Sequence, residues 1–465
     1  MEYRKEKDSM GELNVPKDAY FGVHTQRSIQ NFNISRIKWH PEIIKAIAKI
    51  KAACAKANHD LGSLPKDKAE AIVKACEEIL QGMFADQFPL DIFQAGSGTS
   101  TNMNVNEVIA NRAAELMGHG KGDRGAVHPN DDVNKGESTN NVIPSAIRLA
   151  SLTLSKDLES SLFLLESALM KKSEEFSDVL KSARTHLQDA VPITLGQEFH
   201  AYATAIRKHR KRLKEANLYM SELGIGGNAV GTGLNTYPEF RMGIIRHLGQ
   251  LTGMEVQAAS DGIEATQFLT DIAGLSAAIK LAAIDVNKIA NDLRLLSSGP
   301  KTGLKEIDLP AVEPGSSIMP GKINPSIAEA VNMACHQVIG NDSAITLSCA
   351  SGNLDLNTHM PIIGHNILES IEIFSGACRT LAEKCISGIT VNKEKCRYYV
   401  ENSMALATAL NPYLGYDRAA SLVKESLQTG ETIKELVLKK GLLKKEMLDE
   451  ILNPASLTKP NLRKK

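Results

Sequence analysis

PGSSIMPGKINPS, residues 314–326, stands between two long segments of helical periodicity. Two Pro-Gly steps rule out regular helix here. Proline lacks the N–H that a helix interior needs, and glycine permits backbone angles that other residues resist. Pro325 suits the first turn of a following helix, with Asn324 as its N-cap. The loop therefore runs into a helix N-terminus, where free N–H groups and the dipole favour an anion. Lys322 adds a positive charge, and Ser316 and Ser317 add hydroxyl and amide donors. Such a loop is suited to closing over something negatively charged. The residues alone also allow an ordinary interhelical connection with a capped helix start.

Outward from this loop the apolar pattern is helical. From Ile147, residues Ala150, Leu154, Leu158, Leu162, Leu165 and Leu169 recur at threes and fours. From Phe199, residues Tyr202, Ile206, Leu213, Ala216 and Met220 do much the same. From Ile272 the series Leu275, Ile279, Ala282, Val286, Ile289, Leu293, Leu296 is a heptad, which asks for a long straight partner. Residues 326–348 and 361–386 repeat the theme. Five long helices predict a mostly all-α fold with a central up-and-down bundle. Their remaining apolar faces predict burial against other subunits.

The expected division is an N-terminal domain over 1–137, a central helical bundle domain over 138–392 and a C-terminal domain over 393–465. The first holds helices near 41–60 and 66–83, then a loop-rich stretch from Phe88 to Asn104. Polar, turn-rich residues 118–141 mark its boundary. After about residue 390 the elements shorten. Thr432 and Glu435 have capping-box spacing, and the tail 457–465 reads as frayed.

A chain of 465 residues suits about two to four domains. Lys+Arg and Asp+Glu both count 54, which gives no reason to expect nucleic acid or an anionic membrane as partner. No apolar run reaches the roughly 18 residues of a membrane span. The charged start MEYRKEKDSMGELNVPKDAYFG has no apolar segment of a signal peptide, and its acidic residues argue against a transit peptide. Seven irregularly spaced cysteines fit reduced thiols in a cytoplasmic compartment. No pair has zinc-ligand spacing with a partner pair.

Three further polar clusters lie where a bundle needs none. QAGSGTSTNMNVNE (94–107) gathers Ser97, Gly98, Thr99 and several amides. HPNDDVNKGESTNN (128–141) adds His128, Asn130, Asp131, Ser138, Thr139 and Asn140. SARTHLQDAVPITLGQE (182–198) places Thr185 and His186 near Asp189. Each alone reads as well as a satisfied polar loop, and a lone histidine is more often structural than catalytic. Four such loops in one helical chain, each near a helix end, point to a shared site.

Together these loops resemble the fumarase/aspartase superfamily, and within it the class II fumarase branch most closely. GSSIMPGKINP is similar to that superfamily's signature loop. GSGTSTNMNVNEVIANRA, HPNDDVNK, RTHLQDAVPITLGQE, AVGTGLNT and ASGNLDLN are similar to its other segments, in the family's order, over roughly residues 5–455. The resemblance implies a homotetramer with a twenty-helix core. It also implies active sites shared by three subunits, and no metal or organic cofactor. The implied reaction is reversible trans elimination across a four-carbon dicarboxylate through an aci-carboxylate intermediate, here the hydration of fumarate to L-malate.

Carried over by motif, Ser316 is the base that removes the C3 proton. It acts as an alkoxide, so its pKa must be lowered by N–H donors, Lys322 and the helix dipole. Lys322 and Asn324 bind the carboxylate that gathers charge, with Ser317 beside them. His186 handles the leaving group, paired with Glu329. Ser97, Gly98, Thr99, Ser138, Thr139, Asn140 and Thr185 hold the substrate carboxylates. His128, Asn130 and Asp131 match a second dicarboxylate site, and Arg124 is its arginine, one position away from the usual spacing.

Three positions depart from the family pattern. Asn141 stands where aspartate is usual, Glu137 where glutamine is usual, and Asn228 where threonine is common. The nearest alternative is aspartase, which eliminates ammonia from aspartate. FGVHTQRS, RLLSSGP and GLLKKEMLDEIL suit it, whereas GSGTS, HPNDDVN and ASGN lean to fumarase. A non-catalytic structural relative is a further alternative, against which the intact Ser316, Lys322, Asn324, His186 and Glu329 argue.

Overall fold

The longest helices form where the apolar periodicity places them. The computed structural model, which describes residues 2–460, is mainly helical. Its longest helices are Thr139–Glu175, Leu195–Met220, Thr270–Leu296, Ser326–Cys349 and Met360–Thr380. Every residue of the heptad series from Ile272 to Leu296 is buried. In the other two series the spaced residues are buried except Leu154 and Ala216, which are partly exposed. Among the described residues, no helix is long and apolar enough to cross a membrane.

The chain divides into two compact units: residues 1–160, 209–283 and 336–375, and residues 161–208, 284–335 and 376–465. In the first, the helices Pro41–Asp60, Lys66–Leu80 and Thr99–Leu116 pack on one another. They bury Ile43, Ile47, Ile72 and Ile109. Segments of the long helices are tied by Arg148 to Asp271 at 2.7 Å and by Ser276 and Lys280 to Asp342 at 2.8 and 2.6 Å. Gly364 lets its helix come close to its neighbours, because a Cβ there would lie 2.7 Å from the Trp39 ring and 3.0 Å from Ile147.

In the second unit, the Asn332 amide donates to Asn287 Oδ1 at 2.6 Å. Arg294 donates to Asn332 Oδ1 at 3.0 Å, and Arg207 to Glu166 at 2.7 Å. The short C-terminal helices bury a cluster that includes Leu410, Leu422, Leu436 and Leu448. The Thr432–Glu435 capping box forms.

Several expectations need correction. Residues 99–104 are helix, not loop: the helix starts at Thr99 behind Gly98, whose φ of 82° a glycine adopts without strain. The turn-rich 118–141 stretch contains a π-helical turn, Pro129–Val133, and its last residues begin the helix Thr139–Glu175. The helix expected to reach 83 ends at Leu80. The one expected to reach 386 ends at Thr380 and continues as a π-helical turn, Leu381–Cys385. Two hairpins escaped the helical reading: Tyr3–Asp8 with Gly11–Pro16, and Leu180–Thr185 with Gln188–Thr194. Leu457 and Thr458 are not frayed but lie in a 3₁₀ turn, where the Thr458 carbonyl accepts from Gln197 at 2.9 Å. The rest of the expected frayed tail, from 461 on, lies outside the described residues.

Leu436 is fully buried in the C-terminal cluster. Leu436→Ala should cost about 2–5 kcal/mol through lost burial and the cavity left behind. The check is the denaturant midpoint; an unshifted midpoint would mean that this cluster is not a packed core.

Candidate active site

The loop at 315–324 is closed by its own backbone. Gly315 N–H donates to the Lys322 carbonyl at 2.9 Å, and the Asn324 side-chain amide donates to the Gly315 carbonyl at 2.6 Å. A Cβ on Gly315 would lie 2.3 Å from the Lys322 oxygen, so only glycine fits. The helix begins at Ser326, and the Pro325 carbonyl accepts from the Glu329 N–H at 3.1 Å. Asn324 is therefore not the N-cap that its position suggested. Its amide fastens the loop instead.

Closure aims two backbone donors at one hydroxyl. Ser316 Oγ accepts from the N–H groups of Met319 at 2.9 Å and Ile318 at 3.2 Å. Donors of this kind favour a negative oxygen. Ser316 is half-buried, while Ser317 and Lys322 are exposed. A concavity runs along the loop and is lined in part by Glu313, Ser316, Met319 and Lys322.

His186 sits at the tip of the second hairpin. Thr185 pairs with Gln188, so His186 and Leu187 form the whole two-residue connection. Both have positive φ, 56° and 59°, as a type I′ turn requires. Asn-Gly is the usual signal for such a turn, and its absence explains why the hairpin was not legible. Thr185 and His186 are exposed.

The strand leading to His186 rests on a fully buried carboxylate. Glu306 meets Arg184 at 2.8 Å and Lys181 at 3.1 Å, and Lys181 also meets Glu198 at 2.6 Å. These carboxylates hold the Lys181 ammonium pKa above its ordinary value against the opposing effect of burial. Among the described residues, no hydrogen bond or ion pair joins His186 to Glu329 or to Ser316 within one chain.

The other two clusters lie in the first unit. Ser97 and Thr99 share a hydrogen bond of 2.8 Å beside Gly98. Thr139 Oγ1 accepts from Asn102 at 3.0 Å, and the Asn140 amide donates to the Ala229 carbonyl at 2.8 Å. That carbonyl belongs to the AVGTGLNT segment. There Asn228 adopts φ of 58°, a left-handed conformation that asparagine tolerates and a β-branched threonine resists. His128 Nδ1 accepts from the N–H groups of Asn130 and Asp131, both at 3.1 Å, which leaves Nε2 as the donor. Arg124 points toward Glu6, at 3.9 Å, and no hydrogen bond or ion pair joins it to His128, Asn130 or Asp131 among the described residues.

All seven cysteines are free thiols. Burial pushes Cys76, Cys335, Cys385 and Cys396 up to about 12, which removes them as nucleophiles. Among the described residues, no group of histidine, cysteine and carboxylate side chains is arranged to hold a metal ion.

Comparison with known proteins agrees with this architecture. A family described as lyase matches residues 11–340, and one described as fumarase C C-terminus matches residues 406–459. The chain is 45% identical to an aspartate ammonia-lyase of Bacillus subtilis, over 99% of this chain and 97% of that one. It is 47% identical to one of Pseudomonas aeruginosa, over 99% and 98%. It is 48% identical to a class II fumarate hydratase of Halobacterium salinarum, over 98% and 97%. The crystal structure of a class II fumarase from Schistosoma mansoni superimposes with a TM-score of 0.96 at 37% identity, covering 98% of this chain and 99% of that one. The chain belongs to the fumarase/aspartase superfamily of lyases.

Glu306→Ala should leave Lys181 and Arg184 without their shared buried partner and cost roughly 3–5 kcal/mol. The drop should appear in the thermal midpoint. A midpoint like that of the unaltered protein would show that the hairpin does not depend on Glu306.

Proposed function

We propose that the chain eliminates ammonia from L-aspartate, reversibly, to form fumarate. The observation that carries the elimination is the pair of backbone N–H donors on Ser316 Oγ. They prepare that oxygen to bear negative charge, which a serine needs in order to take a proton from carbon. Ser316 removes the C3 proton, and charge gathers on the adjacent carboxyl group as an aci-carboxylate. Lys322, Asn324 and Ser317 meet that charge. Electrons then return to form the double bond as the C2–N bond breaks, and ammonia departs. The substrate carboxylates are held by Ser97, Gly98, Thr99, Ser138, Thr139, Asn140 and Thr185.

Ammonia as leaving group is supported by the full-length relatives named aspartate ammonia-lyase. Water is the second reading, which makes the product of fumarate hydration L-malate. It is favoured by the equally similar relative named fumarate hydratase and by the GSGTS, HPNDDVN and ASGN segments. In both readings His186, oriented by Glu329, manages the proton at the leaving group.

Among the described residues no hydrogen bond or ion pair joins His186 to Glu329 within one chain, and the long helices carry exposed apolar residues such as Leu281, Ile284, Met333 and Leu347. This supports a homotetramer whose sites draw residues from three subunits, acting without cofactor in the cytoplasm. His128, Asn130 and Asp131 belong to a second dicarboxylate site. For Arg124, the contact with Glu6 argues against a place there.

Ser316→Ala should lower fumarate formation at least about 10²–10⁴-fold, the range of a lost general base. The assembled state should be unchanged on a sizing column. Near-normal turnover by this variant would remove Ser316 from the proton-abstraction step.

A further inference from the structure

Directly before Ser138, Thr139 and Asn140 lies a buried carboxylate, Glu137, with no role in the chemistry above. Glu137 Oε2 accepts from the Asn141 side-chain amide at 2.6 Å, and Glu137 Oε1 accepts from the Cys54 thiol at 3.2 Å. The Gly226 N–H also donates to this carboxylate. Asn141 is oriented without ambiguity: its Oδ1 accepts from the Ser138 N–H at 3.0 Å, so its NH₂ faces Glu137. The chain Glu137–Asn141–Ser138 thus ends on the backbone of the segment assigned to the substrate.

The same segment is anchored from its other side by Asn134. Its amide donates to the Glu137 carbonyl at 2.9 Å, and its Oδ1 accepts from Asn102, Asn106 and the buried Lys51. Asn102 in turn donates to Thr139 Oγ1.

The charged and titratable groups around Glu137 are few. Lys51 and Cys54 face it from the helix Pro41–Asp60, and Cys76 lies near both from Lys66–Leu80. Burial pushes the Glu137 carboxyl up to about 7, against the pull of Lys51 and the three donors, and brings Lys51 down to about 8. Burial thus favours the neutral acid, so Glu137 adds to stability at low pH and loses that contribution as pH rises through about 7. The hydrogen bonds nonetheless fit the carboxylate, because all three neighbours are donors.

We infer that Glu137 and Asn141 act as one reciprocal carboxylate–amide pair that positions the Ser138–Asn140 segment for substrate. The inference rests on the reading of that segment as a substrate-binding cradle. The chemistry requires one acceptor and one donor face to face. An amide at 137 with an amide at 141 would set NH₂ against NH₂, or, with the glutamine turned to offer its oxygen to Asn141, would set the glutamine NH₂ against the Cys54 thiol and the Gly226 N–H. A carboxylate at both places would set two acceptors against each other out of water. Amide at 137 with carboxylate at 141 restores the match: the glutamine side chain donates, and the aspartate side chain accepts both from it and from the Ser138 N–H.

The test uses E137Q, N141D and the double variant as assembled enzymes, with kcat and KM measured across neutral pH on the substrate that the unaltered enzyme consumes. Amide hydrogen exchange over 137–142 is measured in parallel. Each single change should raise KM about tenfold or more, with a smaller effect on kcat, and should loosen exchange at Ser138; tenfold matches the loss of one buried hydrogen bond. The double variant should recover to within about threefold of the unaltered enzyme. In N141D the KM should worsen as pH rises, because paired carboxylates are tolerated only while they share a proton.

Single variants with unchanged KM, or a double variant no better than the worse single, would overturn the positioning role. So would exchange at Ser138 that follows the swap while KM does not. An unaltered enzyme that forms no fumarate would refute the functional reading separately, and exchange at Ser138 would still judge the pair.

Discussion

Two backbone N–H groups converging on Ser316 Oγ are the contact on which the rest depends. A hydroxyl does not take a proton from carbon unless negative charge on its oxygen is already provided for. Side chains alone would provide it loosely. Here a closed loop presents main-chain donors to Ser316 Oγ, with positions that follow from the fold. Gly315 must be glycine because the Lys322 carbonyl occupies the space of a side chain, and Asn324 fastens the ring. The long helix that follows gives this loop a rigid base.

A second regularity is that the polar segments rest on buried carboxylates. Glu306 lies beneath the hairpin that carries His186, and Glu137 beneath the segment Ser138–Asn140. Glu107 does the same for the start of the helix Val23–Asn31, where it accepts from Gly22, His24 and Thr25. Burying such groups is costly, and well-packed apolar residues would often be at least as stable. What a buried carboxylate supplies is direction. Each of its partners has one permitted place, so the polar segment that rests on it inherits a defined geometry. Loss of one partner is correspondingly severe.

Much of this was legible in the residues. The heptad from Ile272 to Leu296 announced a long buried face, and every member is buried. The Pro-Gly loop announced a helix interruption rich in donors. What escaped notice depends on contacts far apart in sequence, or on turns without their usual residues. His186 and Leu187 make a tight hairpin with no glycine or asparagine at the turn. Asn324 looked like a helix cap because its spacing was right, yet the helix starts two residues later and the Asn324 amide donates to the Gly315 carbonyl instead. Glu137 and Asn141 each looked like an isolated departure, and only their 2.6 Å contact shows them to be partners. Among the described residues no hydrogen bond or ion pair joins His186 to Glu329 within one chain, although both motifs were legible in the sequence.

The most direct test follows the ultraviolet absorbance of fumarate while the purified protein is given L-aspartate or L-malate in turn. The account predicts a rise with L-aspartate, matched mole for mole by ammonia. A rise with L-malate alone would contradict ammonia as the leaving group and establish the hydratase reading. No rise with either would contradict the central claim that Ser316 and its loop carry out elimination from a four-carbon dicarboxylate.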